Sequence, residues 1–187
     1  MRNLRRTTGI GLLALLSVAA CSSTPAASEP PPSAAPPSAV TATGPAAEKA
    51  VKSGTQTYHQ ALDAFVAASN KGTTDTTEIG KYASGRALMT FQGILASYQQ
   101  QGVHTSGEPR IDEPVVTGLT PPADPTGVQL RGCIDISAWP LTKADGTPAD
   151  KVGGQQGSGP SAILANVARS GATWQVTELA IQGPCAA

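Results

Sequence analysis

The sequence predicts an α+β fold, in which three N-terminal helices pack on a strongly twisted antiparallel sheet with a cone-like shape. Two observations carry this prediction. Before Gly102, apolar residues recur at the three- and four-residue steps of amphipathic helices. After Gly102, Pro and Gly become frequent, and short β-type runs are separated by turn clusters. Helices followed by a run of strands indicate an α+β domain rather than alternating βαβ units.

The chain opens with a pattern typical of a secretory signal peptide. Three Arg residues within the first six positions precede an apolar run at 10–20, which is shorter than the roughly 20 residues that cross a bilayer. The motif Val18-Ala19-Ala20-Cys21 resembles a bacterial lipobox, in which the Cys sulfur carries diacylglycerol and the signal is cut just before it. We therefore expect a lipoprotein signal peptide at 1–20 and a lipidated Cys21, with general and twin-arginine export both open.

Composition divides the remaining chain into a tether and one domain. Residues 22–45 are almost entirely Pro, Ala, Ser and Thr with the single charge of Glu29, so we expect 21–45 to be a lipid anchor followed by a disordered tether. The 142 residues from 46 to 187 are enough for one domain with its own core.

The charge balance of the chain limits which kinds of binding partner are expected. Without the signal peptide, ten Lys and Arg stand against 13 Asp and Glu, and no basic stripe is present. The sequence therefore predicts no nucleic-acid partner, and it leaves membrane attachment to the lipid on Cys21.

Helix signals occupy the first part of the domain. Pro45 suits the start of a first helix, and Asn70-Lys71-Gly72 suits its end. The capping-box pattern Asp75-Thr76-Thr77-Glu78 predicts a short second helix through Tyr82. Ser84 can cap a third helix over 85–101, which Gly102 stops.

Strand signals fill the rest of the domain. The predicted strands are Glu108–Asp112, Val115–Leu119, Val128–Ile136, Ala138–Lys143, Ser161–Arg169 and Thr173–Ile181. In the last of these, Trp174 and Val176 share one phase of the alternation and Leu179 and Ile181 share the other, which predicts a β-bulge at Thr177–Glu178.

Two connections between these strands have a clear signal. Ser170-Gly171 is a tight hairpin turn, and Ala144–Pro160 is predicted as a long mobile hairpin loop.

The three cysteines have two different predicted roles. Lipidation uses Cys21, and Cys133 and Cys185 remain as an even pair in an oxidising compartment. Neither lies in a metal-binding spacing, so a Cys133–Cys185 disulfide is predicted. Cys133 lies on the phase of its strand opposite to the apolar one, which predicts that the bridge forms on the outer side of the sheet.

A set of short motifs spread over about residues 46–185 carries a family resemblance. These motifs are Tyr58, Leu62 and Phe65 in the first helix, the segments 82–88, 98–102 and 107–110, Cys133-Ile134-Asp135 with Trp139, and the segment 174–179 before Cys185. The chain resembles actinobacterial lipoproteins with a cone-shaped domain of the nuclear-transport-factor-2-like, or SnoaL-like, kind. This resemblance implies the fold but little chemistry, because the fold hosts isomerases, cyclases, hydratases and pure binding modules.

Few residues in the sequence suggest catalysis. His59 lies four residues before Asp63 on the first helix, which we interpret as a solvated pair, and His104 is expected to be exposed. Asp135 lies opposite an apolar phase, so we expect it on the outer face, paired with Arg131 or a neighbour. No nucleophile elbow, phosphate loop, dinucleotide fingerprint or metal spacing is present, so no cofactor or metal is expected.

These observations predict a membrane-anchored, extracytoplasmic and non-catalytic module on the outer face of the cytoplasmic membrane. Its partner is expected to be a small apolar ligand or an envelope protein. The candidate pocket wall is Tyr58, Leu62, Phe65, Phe91, Leu95, Trp139 and Trp174. The alternative is a small-molecule enzyme of the SnoaL-like or ketosteroid-isomerase-like type, which would need an inward-facing Asp135 together with His59 or Tyr58.

Overall fold

The computed structural model describes residues 38–149 and 159–185, and the signal peptide and Cys21 lie outside these ranges. The described part of the chain forms three helices and seven strands. They are α1 (Pro45–Lys71), α2 (Ile79–Tyr82), α3 (Gly85–Gln100), β1 (Val103–Thr105), β2 (Arg110–Ile111), β3 (Val115–Thr120), β4 (Gly127–Asp135), β5 (Leu141–Lys143), β6 (Ser161–Ser170) and β7 (Thr173–Pro184). Among these helices, none is long and apolar enough to span a membrane.

Helix α1 begins and ends where the sequence predicts. Pro45 occupies its first turn, where the missing N–H costs no helical hydrogen bond. Gly72 ends it in the left-handed conformation, with φ of 62°, and its N–H bonds back to the carbonyl of Ser69.

The starts of the other two helices differ from the prediction. Asp75 does not cap α2, because its carboxylate accepts the backbone N–H and the hydroxyl of Thr77, at 2.9 and 2.7 Å, in a local turn. Ser84 stands at the N-cap position of α3 but makes no side-chain cap bond. Its backbone N–H instead donates to the carbonyl of Val176 at 2.9 Å, which ties the start of α3 to β7.

The main sheet is antiparallel and five-stranded, which confirms the predicted α+β class. Its order is β2-β4-β6-β7, and β3 also pairs with β4. The register of β6 against β7 shifts between the pairs Asn166–Glu178 and Val167–Val176, so Thr177 is the extra residue of a bulge. This confirms the predicted bulge, and it lets Val176 and Leu179 both enter the core.

A two-stranded sheet of β1 and β5 was not predicted. Strand β1 has only three residues, too few to show an alternation, and the half-buried His104 lies within it. The prediction of a strand from Ala138 was wrong, because the Trp139 N–H closes a turn on the carbonyl of Ile136 at 2.9 Å. The predicted loop Ala144–Pro160 begins with a tight turn, in which Lys143 N–H bonds Thr147 O at 2.8 Å, and residues 150–158 lie outside the described ranges.

Helix α1 crosses β4 at very short range. Gly54 packs on Val128, where an added Cβ would lie 3.1 Å from that side chain. One turn further on, the Tyr58 hydroxyl lies over Gly132, where an added Cβ would be 2.6 Å away. These two contacts set the distance between α1 and β4.

The predicted disulfide is present. Cys133 and Cys185 are bonded, with their Cα atoms 6.1 Å apart. Cys133 alternates with the buried residues Gly132 and Ile134, so the bridge lies on the face of the sheet away from the helices. It ties the residue that follows β7 to the C-terminal part of β4.

Candidate functional site

A cavity of about 600 Å³ lies between helices α1 and α3 and the inner face of the main sheet. This volume is within the range typical of small-molecule pockets. Its lining residues are Leu62, Phe65, Val66, Met89, Thr90, Phe91, Gly93, Ile94, Ser97, Tyr98, Ile111, Ile134, Ile136, Trp139, Ser161, Ile163, Leu179, Ile181 and Gln182. Most of these side chains are apolar, which makes the cavity a candidate binding site.

Three aromatic rings form one end of the cavity. Phe65 on α1 stacks on Phe91 of α3 with ring centroids 4.9 Å apart. Trp139 meets Phe65 edge to face at 5.9 Å. Such contacts contribute about 0.5–1.5 kcal/mol per pair beyond the buried area, so the three rings stabilise one another in this wall.

Asn70 fixes the Trp139 ring in this wall. Its side-chain oxygen accepts the indole N–H of Trp139 at 2.9 Å and the hydroxyl of Thr105 at 2.7 Å. Its side-chain nitrogen donates to the carbonyl of Gly107 at 2.8 Å. The polar atom of Trp139 is thereby satisfied away from the ligand space, and the cavity meets only its apolar ring.

The sequence does not predict this role of Asn70. In the sequence, Asn70 is only part of the stop signal of the first helix. Asn70 at the end of α1 bonds to residues in β1 and in the turn before β5, which are distant from it in sequence. No local sequence pattern therefore predicts that one amide side chain joins these three parts of the fold.

The mouth of the cavity is marked by its exposed lining residues. Met89 on α3 and Ile181 on β7 are 61% and 51% exposed, although both are large apolar side chains. Gly93 also lines the cavity, one turn after Met89 on α3, and an added Cβ there would meet nothing within 4 Å. The entrance is therefore largely apolar, with a few neutral polar side chains, and it opens at the edge between α3 and β7.

Four of the seven predicted wall residues line the cavity: Leu62, Phe65, Phe91 and Trp139. Leu95 does not, because it is packed in the core with 2% of its surface exposed. Trp174 does not either, since it pairs across β6–β7 with Arg169, whose guanidinium lies 5.8 Å from its ring, beside the hairpin turn.

Tyr58 is the third predicted wall residue that lies elsewhere. It is fully buried between α1 and β4, and its hydroxyl has no hydrogen-bond partner among the described residues. Burial raises the pKa of its phenol far above the usual value of 10.0. The phenol is therefore neutral and faces the backbone at Gly132 rather than a ligand.

The two residues of the enzyme alternative are not brought together at the cavity. His59 is partly exposed, and its Nε2 lies 3.3 Å from the carboxylate of Glu113, so the predicted pairing with Asp63 was wrong. The chain folds Glu113 back over α1, where it reaches the imidazole from outside the cavity.

Asp135 lies on the opposite face of β4 from the cavity. Its carboxylate accepts the backbone N–H of Ser137 at 2.9 Å, and this bond lowers its pKa. The cross-strand neighbour is Arg110, on β2, rather than Arg131 on its own strand. Asp135 is an ordinary solvated carboxylate in this position.

The chemistry of the cavity is neutral. Of the described residues that line it, Tyr98 is the only one with an ionisable side chain, and its phenol has a polar interaction of its own. Residues 38–149 and 159–185 hold no group of three or more His, Cys, Asp or Glu that is placed to bind a metal. The arrangement can bury an apolar molecule and offer it neutral hydrogen bonds at the mouth.

Comparison with known proteins adds structural neighbours only. No protein-family model matches this sequence, and no curated protein matches it. The intermembrane-space region of the chloroplast protein ARC6 is similar with a TM-score of 0.43 and 14% identity, covering 69% of this chain and 96% of that one. Two Nostoc punctiforme proteins of unknown function with a cystatin-like fold follow.

For the first of these two, the TM-score is 0.41 with 8% identity, over 68% of this chain and 89% of the other. For the second, the TM-score is 0.40 with 15% identity, over 77% and 81%. Likeness at this level assigns neither a family nor a function to this chain.

Proposed function

We propose that this protein is a lipid-anchored, extracytoplasmic binding module that takes a predominantly apolar ligand into the cavity between α1, α3 and the sheet. The cavity is the observation that carries the proposal: about 600 Å³, walled by apolar side chains and open at one edge. The lipobox-like motif at Cys21 supports the placement outside the cytoplasmic membrane.

The driving force for such binding is burial of apolar surface. Each Å² of apolar surface removed from water stabilises the complex by roughly 25 cal/mol before the costs of association. The aromatic wall of Phe65, Phe91 and Trp139 is already ordered by its own contacts. A ligand therefore spends little of its binding energy on rigidifying the protein.

Binding fits the cavity better than catalysis does. General acid–base chemistry needs at least two ionisable groups within reach of one substrate. The described lining residues offer one phenol, while His59 and Asp135 lie elsewhere. The geometry thus favours a binding role over the isomerase-like alternative.

The test is saturable binding of N-phenyl-1-naphthylamine, an uncharged apolar dye. The chain has two Trp residues, so a Trp174→Phe background leaves Trp139, in the cavity wall, as the single indole reporter. We expect the dye to brighten on binding and to quench Trp139 with the same midpoint.

Gly93→Phe supplies the blocking variant. The new ring would occupy the open mouth of the cavity, and replacing a helical Gly raises helix propensity, so the fold is retained. Gly80→Phe is the matched control, because Gly80 also faces open space but lies on α2, outside the cavity. Equal dye binding by Gly93→Phe and Gly80→Phe would contradict the proposal.

A further inference from the structure

The cavity changes character from floor to mouth. Its deepest side chains, including Leu62, Phe91 and Ile163, are apolar and buried. Its polar side chains, among them Thr90, Ser97 and Gln182, are half-buried or exposed and lie beside the exposed apolar Met89 and Ile181. A cavity with a buried apolar floor and with hydroxyl and amide groups in its outer lining favours an amphiphile that enters with its tail first.

The two rim hydroxyls on α3 have different hydrogen-bonding capacity left. Thr90 already donates its only hydroxyl hydrogen to the carbonyl of Arg86, at 3.0 Å, so towards a ligand it can only accept. Ser97 accepts from the side-chain amide of Gln101 at 2.9 Å, so its hydroxyl hydrogen is free to donate. The rim therefore presents one hydroxyl that can only accept and one that can also donate, two helical turns apart.

We propose that the ligand is an uncharged amphiphile, with a hydrocarbon chain on the cavity floor and a head bearing several hydroxyl or ester groups at the rim. This inference rests on the proposed function and adds the ligand class. A head of this kind both donates and accepts. A carboxylate can only accept, so it leaves the Thr90 oxygen without a donor, and an ammonium can only donate, so it leaves the Ser97 hydroxyl hydrogen without an acceptor.

The lack of charge on the lining residues also favours an uncharged head group. Of the described residues that line the cavity, none is Lys, Arg, His, Asp or Glu, so a charged head would lose hydration without meeting an opposite charge. Arg86 is the cation closest to the rim along α3, one turn before Thr90, but it is exposed and outside the lining set.

The experiment compares three probes with the same chain length: monolauroylglycerol, dodecanoate and dodecylammonium. Each probe is tested for its ability to displace N-phenyl-1-naphthylamine from the full mature protein. The measurements are made at neutral pH, at probe concentrations below those at which the probe aggregates. We expect monolauroylglycerol to bind about tenfold more tightly than either ion, which reflects the cost of partly dehydrating an unpaired charge.

Two rim variants test the contacts. Thr90→Val and Ser97→Ala should each weaken monolauroylglycerol binding several-fold and change dye binding much less, because the affinity of the dye comes mainly from burial of its aromatic rings. Thr55→Val is the matched control for Thr90→Val, since Thr55 is also a half-buried Thr on a helix but lies away from the cavity.

The outcomes separate this inference from the proposed function. Dye binding with equal affinity for all three probes would overturn the inference and leave the proposed function standing. Tighter binding of dodecanoate, lost in Arg86→Gln, would overturn it in favour of an anionic head. Failure of the dye and of all three probes to bind would overturn both.

Discussion

At the residue scale, Tyr58 and Gly132 form the tightest contact between helix and sheet. The Tyr58 hydroxyl is fully buried, and any Cβ at position 132 would overlap it. We predict that Gly132→Ala lowers the free energy of unfolding by about 1–3 kcal/mol, because backbone or ring must shift to make room. Urea denaturation measures this change.

Combining Gly132→Ala with Tyr58→Phe tests whether the Tyr58 hydroxyl causes this loss of stability. Tyr58→Phe removes the hydroxyl that the new methyl would meet, so Gly132→Ala should cost less in that background than in the wild type. Equal costs in both backgrounds would show that the strain comes from some other neighbour. Gly183→Ala is the control, because Gly183 faces open space.

The buried phenol also predicts a pH dependence. Burial raises the pKa of Tyr58 in the folded protein above the usual 10.0, so above pH 10 the unfolded chain loses this proton before the folded one does. The unfolded state then binds fewer protons, and stability falls as pH rises. We predict a smaller alkaline loss of stability in Tyr58→Phe, measured by urea denaturation at pH 8 and above pH 10. An identical loss in both proteins would contradict this.

Asn70 is the residue on which the cavity wall depends. Asn70→Ala would leave the Trp139 indole N–H and the Thr105 hydroxyl without their acceptor. We predict a loss of about 1–3 kcal/mol in unfolding free energy, typical of a buried polar group left unpaired. Dye affinity should fall as well, because the Trp139 ring loses its fixed orientation. Unchanged Trp139 emission in a Trp174→Phe background would contradict this account.

At the element scale, the disulfide fastens the end of β7 to β4. It closes a loop with a sequence separation of 52, for which the chain-entropy model gives about 4 kcal/mol at most. We predict that replacing Cys133 and Cys185 together by Ala lowers Tm by several degrees. Ile181 and Gln182 line the cavity just before Cys185, so dye affinity should also fall. A double variant with unchanged Tm would contradict the prediction.

Elements with a long, regular pattern were predicted well, and those set by tertiary contacts were not. The apolar steps along α1 and the broken alternation around Thr177 are local signals, and both were correct. Strand β1 exists only because β5 pairs with it. The sequence pattern at Asp75 predicted a helix start, but in the fold the Asp75 carboxylate accepts the backbone N–H of Thr77 in a local turn.

At the scale of the whole molecule, the proposed anchoring on the outer face of the cytoplasmic membrane requires Cys21. We predict that Cys21→Ser releases the protein from membranes or leaves its signal peptide uncleaved, since two or three acyl chains are needed for stable anchoring. Membrane fractionation with intact-mass measurement tests this. A Cys21→Ser protein that stays on membranes at its mature mass would contradict it.

The cavity could be predicted from the sequence only in part. Leu62, Phe65 and Phe91 follow from the helical apolar faces, and they do line it. Tyr58 and Trp174 are also aromatic residues on predicted apolar faces. In the fold, however, Tyr58 packs against β4 and Trp174 packs against Arg169. Which aromatic residue faces open space and which fills the core is decided by packing between distant elements, and periodicity carries no information about it.

The central claim is that an apolar molecule occupies this cavity, and isotope-filtered NOE measurement on the protein with monolauroylglycerol tests it most directly. The account predicts NOEs from the hydrocarbon chain to the rings of Phe65 and Trp139 and to the methyl groups of Ile163. NOEs confined to exposed residues such as Met89, or to the outer face of the sheet, would contradict it.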